Sequence, residues 1–364
     1  ILANTSLYET YSHFFHMNID FNIGSWALSH SLHHWINDGL MAIFFFLIGL
    51  EIKREITAGE LSNLKVAILP ILAAIGGMVF PALIYTSLNY ETVGSAGWGI
   101  PMATDIAFAI SALVLLGKRV PTALVTFLVA LAIVDDLGAV IVIALFYTDT
   151  INMMALSLAG LMFVLMLAFN RFGIHMLLPY FIVGLLMWFF MLESGVHATI
   201  AGVLAALAIP STPKRVPSTL TKEAKVLLDE YDKYPVDENY QINEEQKRIL
   251  TNIRNKINEV ETPAARLEHN LHLPVALVII PIFALANAGI KIDFSSIGTT
   301  IVEPVSLGII LGLIFGKVIG IFGVSYVAVK LKIAQLPKDS TLNQVFGVAF
   351  LGGIGFTMSI FVAD

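Results

Sequence analysis

Ten apolar stretches run through this chain, at residues 32–52, 64–88, 96–117, 122–147, 151–170, 174–192, 197–210, 270–290, 304–329 and 341–363. All but 197–210 are near the ~20 residues an α-helix needs to cross a hydrocarbon core about 30 Å thick. That length leaves few folds open. Lipid offers no water to satisfy backbone N–H and C=O groups, so a spanning segment must be helical or part of a closed barrel. Runs this long and this continuously apolar predict helices, and the chain reads as an all-α polytopic membrane protein. Its composition agrees: 57% of the 364 residues are hydrophobic and 13% charged, well outside the soluble range.

Basic residues orient the bundle. If the stretches alternate across the membrane, all 21 lysines and arginines except Lys291 and Lys317 fall on one face. That face carries Lys53, Arg54, Lys65, Lys118, Arg119, Arg171, the segment from Lys214 to Arg266, and Lys330, Lys332 and Lys338. The positive-inside rule makes it cytoplasmic. Residues 1–31 contain no Lys or Arg and form an N-terminal segment on the periplasmic side. The expected organisation is seven spans over 32–210, a polar cytoplasmic loop over 211–266, and three spans over 267–364. The loop has proline-rich edges (Pro210, Pro213, Pro217, Pro235, Pro263), and Ile249, Leu250, Ile253, Ile257 and Val260 predict one short amphipathic helix within it. It reads as a solvated loop lying on the membrane domain, with a regulatory or partner-binding role as the alternative. Signals such as Gly117-Lys118-Arg119-Val120-Pro121 and Tyr147-Thr148-Asp149 mark turns between spans. With no cysteine, disulfides, thiolate nucleophiles and Cys-based metal centres are excluded. No cleavable signal peptide is visible, and a chain that starts at Ile1 rather than Met is expected to come from a longer gene product.

Four ionisable side chains interrupt the apolar runs: Asp105, Asp135, Asp136 and Lys317. A carboxylate at the centre of a spanning helix costs about 2.5–3.5 kcal/mol on insertion scales, and no structural need requires three of them. They point to function. Asp135 and Asp136 diverge by about 100° on a helix, so one can face a cavity while the other faces a neighbouring helix. Burial and mutual repulsion favour the protonated form, and such a pair titrates as a unit. Carboxylates, a Thr hydroxyl and freed backbone carbonyls make a hard-oxygen set for a small cation, and the same groups take protons. A site that holds one or the other is the minimum chemistry of exchange. Lys317 needs an anion nearby to stay charged in such a place, and a purely structural counter-ion is compatible with that.

Two spans carry breaking signals. Gly97, Gly99 and Pro101 weaken the helix just before Asp105. Gly352, Gly353 and Gly355 do the same in the last span, where the alternative is that glycines allow helices to pack closely. Broken helices in separate halves of a transporter point to its substrate site.

At these residues the chain resembles the NhaA-type sodium/proton antiporters, themselves a standard example of broken helices and inverted repeats, so the two lines of support are not independent. The resemblance rests on Trp35-Ile36-Asn37-Asp38-Gly39-Leu40-Met41-Ala42, Gly49-Leu50-Glu51-Ile52-Lys53-Arg54-Glu55, Ala103-Thr104-Asp105-Ile106-Ala107-Phe108, Leu131-Ala132-Ile133-Val134-Asp135-Asp136-Leu137-Gly138-Ala139, Ser194-Gly195-Val196-His197-Ala198-Thr199, Arg266-Leu267-Glu268-His269 and Gly353-Ile354-Gly355-Phe356-Thr357-Met358-Ser359-Ile360-Phe361. It covers nearly the whole chain outside 213–262. It implies a helical bundle with inverted repeats and two broken helices crossing near the midplane, 96–117 and 341–363. Asp136, Asp105 and Thr104 would line a site for transported Na⁺ or Li⁺. Asp135 would pair with Lys317 and exchange a proton, and Asp105 and Lys317 would compensate the helix-terminal dipoles. Glu51, Arg54, Glu55, Glu268, His269 and His272 would match a cytoplasmic cluster linked to pH activation. His197 reads as a packed interfacial histidine.

Four departures from the family pattern stand out. The family has one span before residue 1 and another after Asp364. Val318 and Leu273-Pro274 replace a proline and a Pro-Trp pair, and the 211–266 loop is longer than in the shortest members. The expectation is an electrogenic, pH-regulated exchanger of Na⁺ or Li⁺ for H⁺ in a bacterial inner membrane, not an enzyme. It needs no cofactor and no nucleic acid; its partners are lipid and the transported ions, with a homodimer left open. The competing readings are a sodium-coupled organic-anion symporter and an intramembrane aspartyl protease. The second has no Gly-x-Gly-Asp motif and leaves Lys317 unexplained, and the absence of His-Glu-x-x-His excludes a zinc protease.

Overall fold

Lipid cannot satisfy a backbone polar group, and the chain answers helix by helix. A computed structural model describes residues 2–23, 26–147, 151–215, 217–234, 242–291 and 295–363. Thr148, Asp149 and Pro235, assigned above to turns and a loop edge, lie outside the described residues.

The chain opens with α1 (Tyr8–His16) and a hairpin of β1 (Asn18–Ile23) and β2 (Trp26–Ser31), antiparallel with Asn18 opposite Ser31. A π-helical turn over Trp35–Leu40 leads into α2 (Met41–Thr57), followed by α3 (Leu64–Asn89), a 3₁₀ segment over Val93–Met102, α4 (Ile106–Leu115) and α5 (Thr122–Phe146). Next come α6 (Met153–Arg171), α7 (Leu177–Glu193) and the short α8 (Thr199–Ala208). The polar stretch holds α9 (Pro217–Tyr231) and α10 (Glu244–Val260). Then α11 (Pro263–Pro274) and α12 (Ile280–Asn287) run together through a π turn. A long run continues through α13 (Pro304–Leu311), π turns over Gly312–Gly316 and Ile319–Gly323, and α14 (Val324–Lys330). The described part closes with α15 (Leu342–Leu351) and α16 (Phe356–Ala363), bent by 47° at the break between them.

Every stretch read as a span is helical. Among the described residues seven helical runs are long and apolar enough to cross a membrane, one of them (Val93–Leu115) interrupted at Ala103–Asp105; α15 with α16 forms a bent pair, and α7 and α8 are shorter apolar helices. The brevity of α8 has a local cause: Pro210 follows its C-cap Ile209, and the Lys53 ammonium donates to the carbonyls of Leu207, at 2.7 Å, and Ile209. A cation on the last carbonyls satisfies acceptors that the helix leaves open.

The N-terminal segment, for which no secondary structure is predicted or excluded from sequence, forms α1, β1 and β2. One region differs from expectation. The polar stretch forms two helices instead of one, because Glu223 of α9 pairs with Lys256 of α10 while Arg215 holds Glu259 at 2.8 Å. The Ile249 side chain is buried, and a capping box between Asn243 and Gln246 starts α10.

Inside the bundle, close approach depends on small residues. The α3 helix crosses the 304–330 run at Gly76 and Gly320, where a Cβ on either would collide with the other's carbonyl oxygen. Next to that crossing, a Cβ on Gly77 would lie 3.8 Å from Cδ of Lys317. The tighter contact of that Cβ would be with the Ile321 side chain, at 2.9 Å, so both glycines of α3 serve the crossing with the 304–330 run.

Candidate functional site

The 3₁₀ segment ends at Met102, and Ala103 and Asp105 take extended backbone angles before α4 begins. The break thus falls just after the Gly/Pro cluster. Asp105 becomes the N-cap of α4, accepting from the Phe108 N–H at 3.1 Å, as a short carboxylate at that position can. Its own N–H donates to the carbonyl of Ile354 at 2.7 Å, and the Thr104 hydroxyl donates to the carbonyl of Gly352 at 2.9 Å. Each break satisfies groups freed by the other. Thr357, in the first turn of α16, donates to Asp105 Oδ2 from its N–H, at 3.3 Å, and from its hydroxyl. One carboxylate therefore lies at the N-termini of two helices, where negative charge is favoured.

Gly352, Gly353 and Gly355 are absent from the positive-φ glycines of the described residues, which are Gly117, Gly173 and Gly195. What the run requires is closeness: a Cβ on Gly353 would come within 2.5 Å of the Leu313 carbonyl oxygen. Close packing and helix breaking are here the same feature.

The third wall is α5. Asp135 and Asp136 lie in its middle and face different neighbours. Asp135 Oδ2 accepts from Lys317 Nζ at 2.7 Å, and the same ammonium donates to the Thr104 hydroxyl at 2.8 Å. Lys317 is 0% exposed and is set between two π turns, a distortion frequent at functional positions. Its hydrogen-bond partners are side chains, not terminal carbonyls. Asp136 is 1% exposed, and neither of its carboxylate oxygens has a hydrogen-bond partner among the described residues. A buried carboxylate without partners is tolerated when it carries a proton or touches a cation. No group of three or more His, Cys, Asp or Glu side chains among the described residues is arranged as a metal centre. The hard-oxygen donors are two carboxylates with hydroxyls and carbonyls around them.

Thr357 and Ser359 went unassigned from sequence, although both lie in the last quoted motif. Ser359 donates to the carbonyl of Ile100 at 3.0 Å, tying α16 to the 3₁₀ segment. The signal was a pair of hydroxyls directly after a glycine break.

At the lysine- and arginine-rich end, Arg54 of α2 pairs with Glu55 at 3.0 Å and with Glu268 of α11. Glu55 is buried and Glu51 half-buried. His269 and His272 are exposed, and neither side chain makes a hydrogen bond or ion pair among the described residues. Three members of the expected cluster are therefore in contact and the two histidines stand apart. The half-buried His197 precedes α8, and its carbonyl accepts from the Ile200 N–H at 3.1 Å.

The Na⁺/H⁺ antiporter 1 family matches residues 1–364. The chain belongs to that family. It is 66% identical to the Na(+)/H(+) antiporter NhaA of Sulfurimonas denitrificans over 364 residues, covering 100% of this chain and 82% of that protein. Identity to Na(+)/H(+) antiporter NhaA 1 of Saccharophagus degradans is 49%, covering 100% of this chain and 78% of that protein. For Na(+)/H(+) antiporter NhaA of Dichelobacter nodosus it is 49%, covering 100% and 79%. As a Na⁺/H⁺ antiporter the protein is a multi-pass secondary transporter, and the symporter and protease readings fall away. An antiporter must offer its cation and its protons overlapping sites, and the joined breaks beside α5 place ionisable groups and hard oxygens together inside the bundle.

Proposed function

We propose that Asp136 and Asp105, with Thr104 beside them, take the transported Na⁺ or Li⁺, and that Asp136 and the Asp135–Lys317 pair carry the exchanged protons. The observation behind this is the buried, unpartnered carboxylate of Asp136 one residue from an ion-paired one. A cation arriving at Asp136 replaces its proton and adds positive charge beside Lys317. The second proton then leaves the Asp135–Lys317 pair from the lysine ammonium, and Asp135 stays behind as a carboxylate. Two protons released per cation moves one net charge each turn, worth ~2.3 kcal/mol per 100 mV.

The contact of Arg54 with Glu55 and Glu268 supports a regulatory cluster at the lysine- and arginine-rich end, which by charge placement faces the cytoplasm of a bacterial inner membrane. A homodimer would be compatible with every step, since all the named groups lie within one chain.

The test uses full-length protein in sealed vesicles with an imposed pH gradient. Addition of Na⁺ or Li⁺, but not K⁺, should dissipate the gradient, and Asp136→Asn should abolish the response. A variant that exchanges at the parental rate would remove Asp136 from the site.

A further inference from the structure

The 3₁₀ segment over Val93–Met102 spans ten residues, whereas 3₁₀ runs beyond three or four are uncommon because their hydrogen bonds are poorly aligned. Something outside the segment must hold it. Two tyrosine hydroxyls do. Tyr85 of α3, fully buried, donates to the carbonyl of Gly94 at 2.6 Å. Tyr147, the C-cap residue of α5, donates to the carbonyl of Ala96 at 2.6 Å and accepts from the N–H of Gly99 at 2.8 Å. Ala96 C=O and Gly99 N–H are the pair that one 3₁₀ turn would itself join, so the Tyr147 oxygen engages both ends of a single turn. Gly99 is shaped for this: a Cβ there would lie 2.7 Å from that oxygen.

Tyr147 belongs to the helix that carries Asp136. It follows Asp136 by three turns, and at 100° per residue the two lie within about 20° of one helix face. The buried Val140 and Ile143 fill the stripe between them and pack in one cluster with Ile100 and Ala103. The face of α5 that presents Asp136 is therefore also the face that grips the segment leading to Thr104 and Asp105.

We propose that the Tyr147 hydroxyl is a positioning group for exchange, fixing the 3₁₀ segment on α5 so that Thr104 and Asp105 keep their separation from Asp136. This rests on the site assignment above. The hydroxyl touches no ion. It acts through the backbone of Ala96 and Gly99, and its loss lets the oxygen donors on the two elements drift apart. Cation affinity falls while the proton-carrying side chains stay intact. Ring packing survives in Tyr147→Phe, since the ring also contacts Trp98 at 6.1 Å between centroids.

The experiment measures Na⁺-driven dissipation of a pH gradient by the full-length protein in vesicles, for the parent, Tyr147→Phe, Tyr180→Phe and Asp136→Asn. Tyr180 is the matched control, a buried tyrosine of α7 whose hydroxyl donates to the carbonyl of Ile174 at 3.0 Å. For Tyr147→Phe the apparent KM for Na⁺ should rise about tenfold, as expected for loss of two neutral hydrogen bonds, with kcat within about twofold of the parent. Tyr180→Phe should leave both constants in place. An unchanged KM in Tyr147→Phe, or an equal rise in Tyr180→Phe, overturns the proposal. Activity retained in Asp136→Asn would instead overturn the site assignment, so the two failures are distinguishable. If Tyr147→Phe does not accumulate, Gly99→Ala displaces the same hydroxyl from the other side. The same rise in KM supports the proposal, and an unchanged KM refutes it.

Discussion

The backbone N–H of Asp105 donates to the carbonyl of Ile354 across 2.7 Å, so two broken helices share a hydrogen bond at the depth where each has lost its own. With Thr357 donating twice into Asp105 Oδ2, the carboxylate is capped by donors from two helices. Replacement by asparagine tests this directly. An amide has one acceptor oxygen, and the carboxylate serves donors on both oxygens, so either Phe108 or Thr357 would meet an NH₂ group. Asp105→Asn is expected to lose exchange and about 1–3 kcal/mol of stability, the usual cost of buried donors left unmatched. Thermal unfolding in detergent, with Thr357→Val for comparison, checks it. A parental melting temperature in Asp105→Asn would show that the shared cap carries little energy.

Lys317 and Asp135 form a pair with no access to water, 0% and 1% exposed. Removing one partner of a buried pair typically costs about 3–5 kcal/mol because the other charge is stranded, while removing both together can be nearly neutral. Lys317→Met alone should therefore be strongly destabilising, and Lys317→Met with Asp135→Asn considerably less so. Melting curves for the two single variants and the double variant decide the matter. Additive losses would mean that the groups do not sense each other.

The spans were legible in the sequence because an apolar run of such length has one solution in lipid, and the four charges were legible because nothing else accounts for their cost. Their pairing was less so. Asp135 and Asp136 are chemically identical neighbours, and the lysine that distinguishes them lies 182 residues further on. Thr357 escaped assignment because a hydroxyl in a span is ordinary until a carboxylate is placed beside it. The α9 helix escaped although Leu220, Ala224, Leu227 and Tyr231 recur at helical spacing along it; its Glu223 then pairs with Lys256 of α10. At the other end of the molecule, Asn287 pairs reciprocally with Asn37, at 2.9 and 3.3 Å, another contact between residues far apart in the chain.

The Gly76–Gly320 crossing sets where Lys317 enters the site, so a side chain there should act at a distance. Gly320→Val would drive a branched group into the carbonyl of Gly76. Overpacking of this kind costs about 1–3 kcal/mol where neighbours can yield, and backbone yields least. The expected outcome is reduced accumulation of folded protein and an altered Na⁺ dependence in whatever does fold. Gly323→Ala, at a position where a Cβ meets nothing within 4 Å, should behave like the parent. Equal behaviour of the two variants, measured by size-exclusion profile and vesicle exchange, would discount the crossing.

The N-terminal hairpin should respond to pH through His30. Its ring stacks on His34 at 4.2 Å and meets Trp35 edge-on at 6.1 Å. Nearby, His34 pairs with Asp38 at 3.2 Å, His16 stacks on His33 at 5.7 Å, and His33 reaches Asn287 at 3.0 Å. Burial, then the adjacent His34, hold the His30 imidazole below the ordinary histidine range, with Asp38 and Glu193 pulling the other way. A depressed histidine favours its neutral form in the folded protein. The contribution to docking is therefore complete above the unfolded value of about 6.5 and is lost as pH falls through it toward the folded value. Hydrogen-exchange protection over β1 and β2 in the intact protein, corrected for the intrinsic slowing of exchange on acidification, should fall between about pH 7 and pH 5, and His30→Gln should flatten that response. Equal protection at both pH values in the parent, or protection that grows on acidification, would rule out His30 as the titrating group.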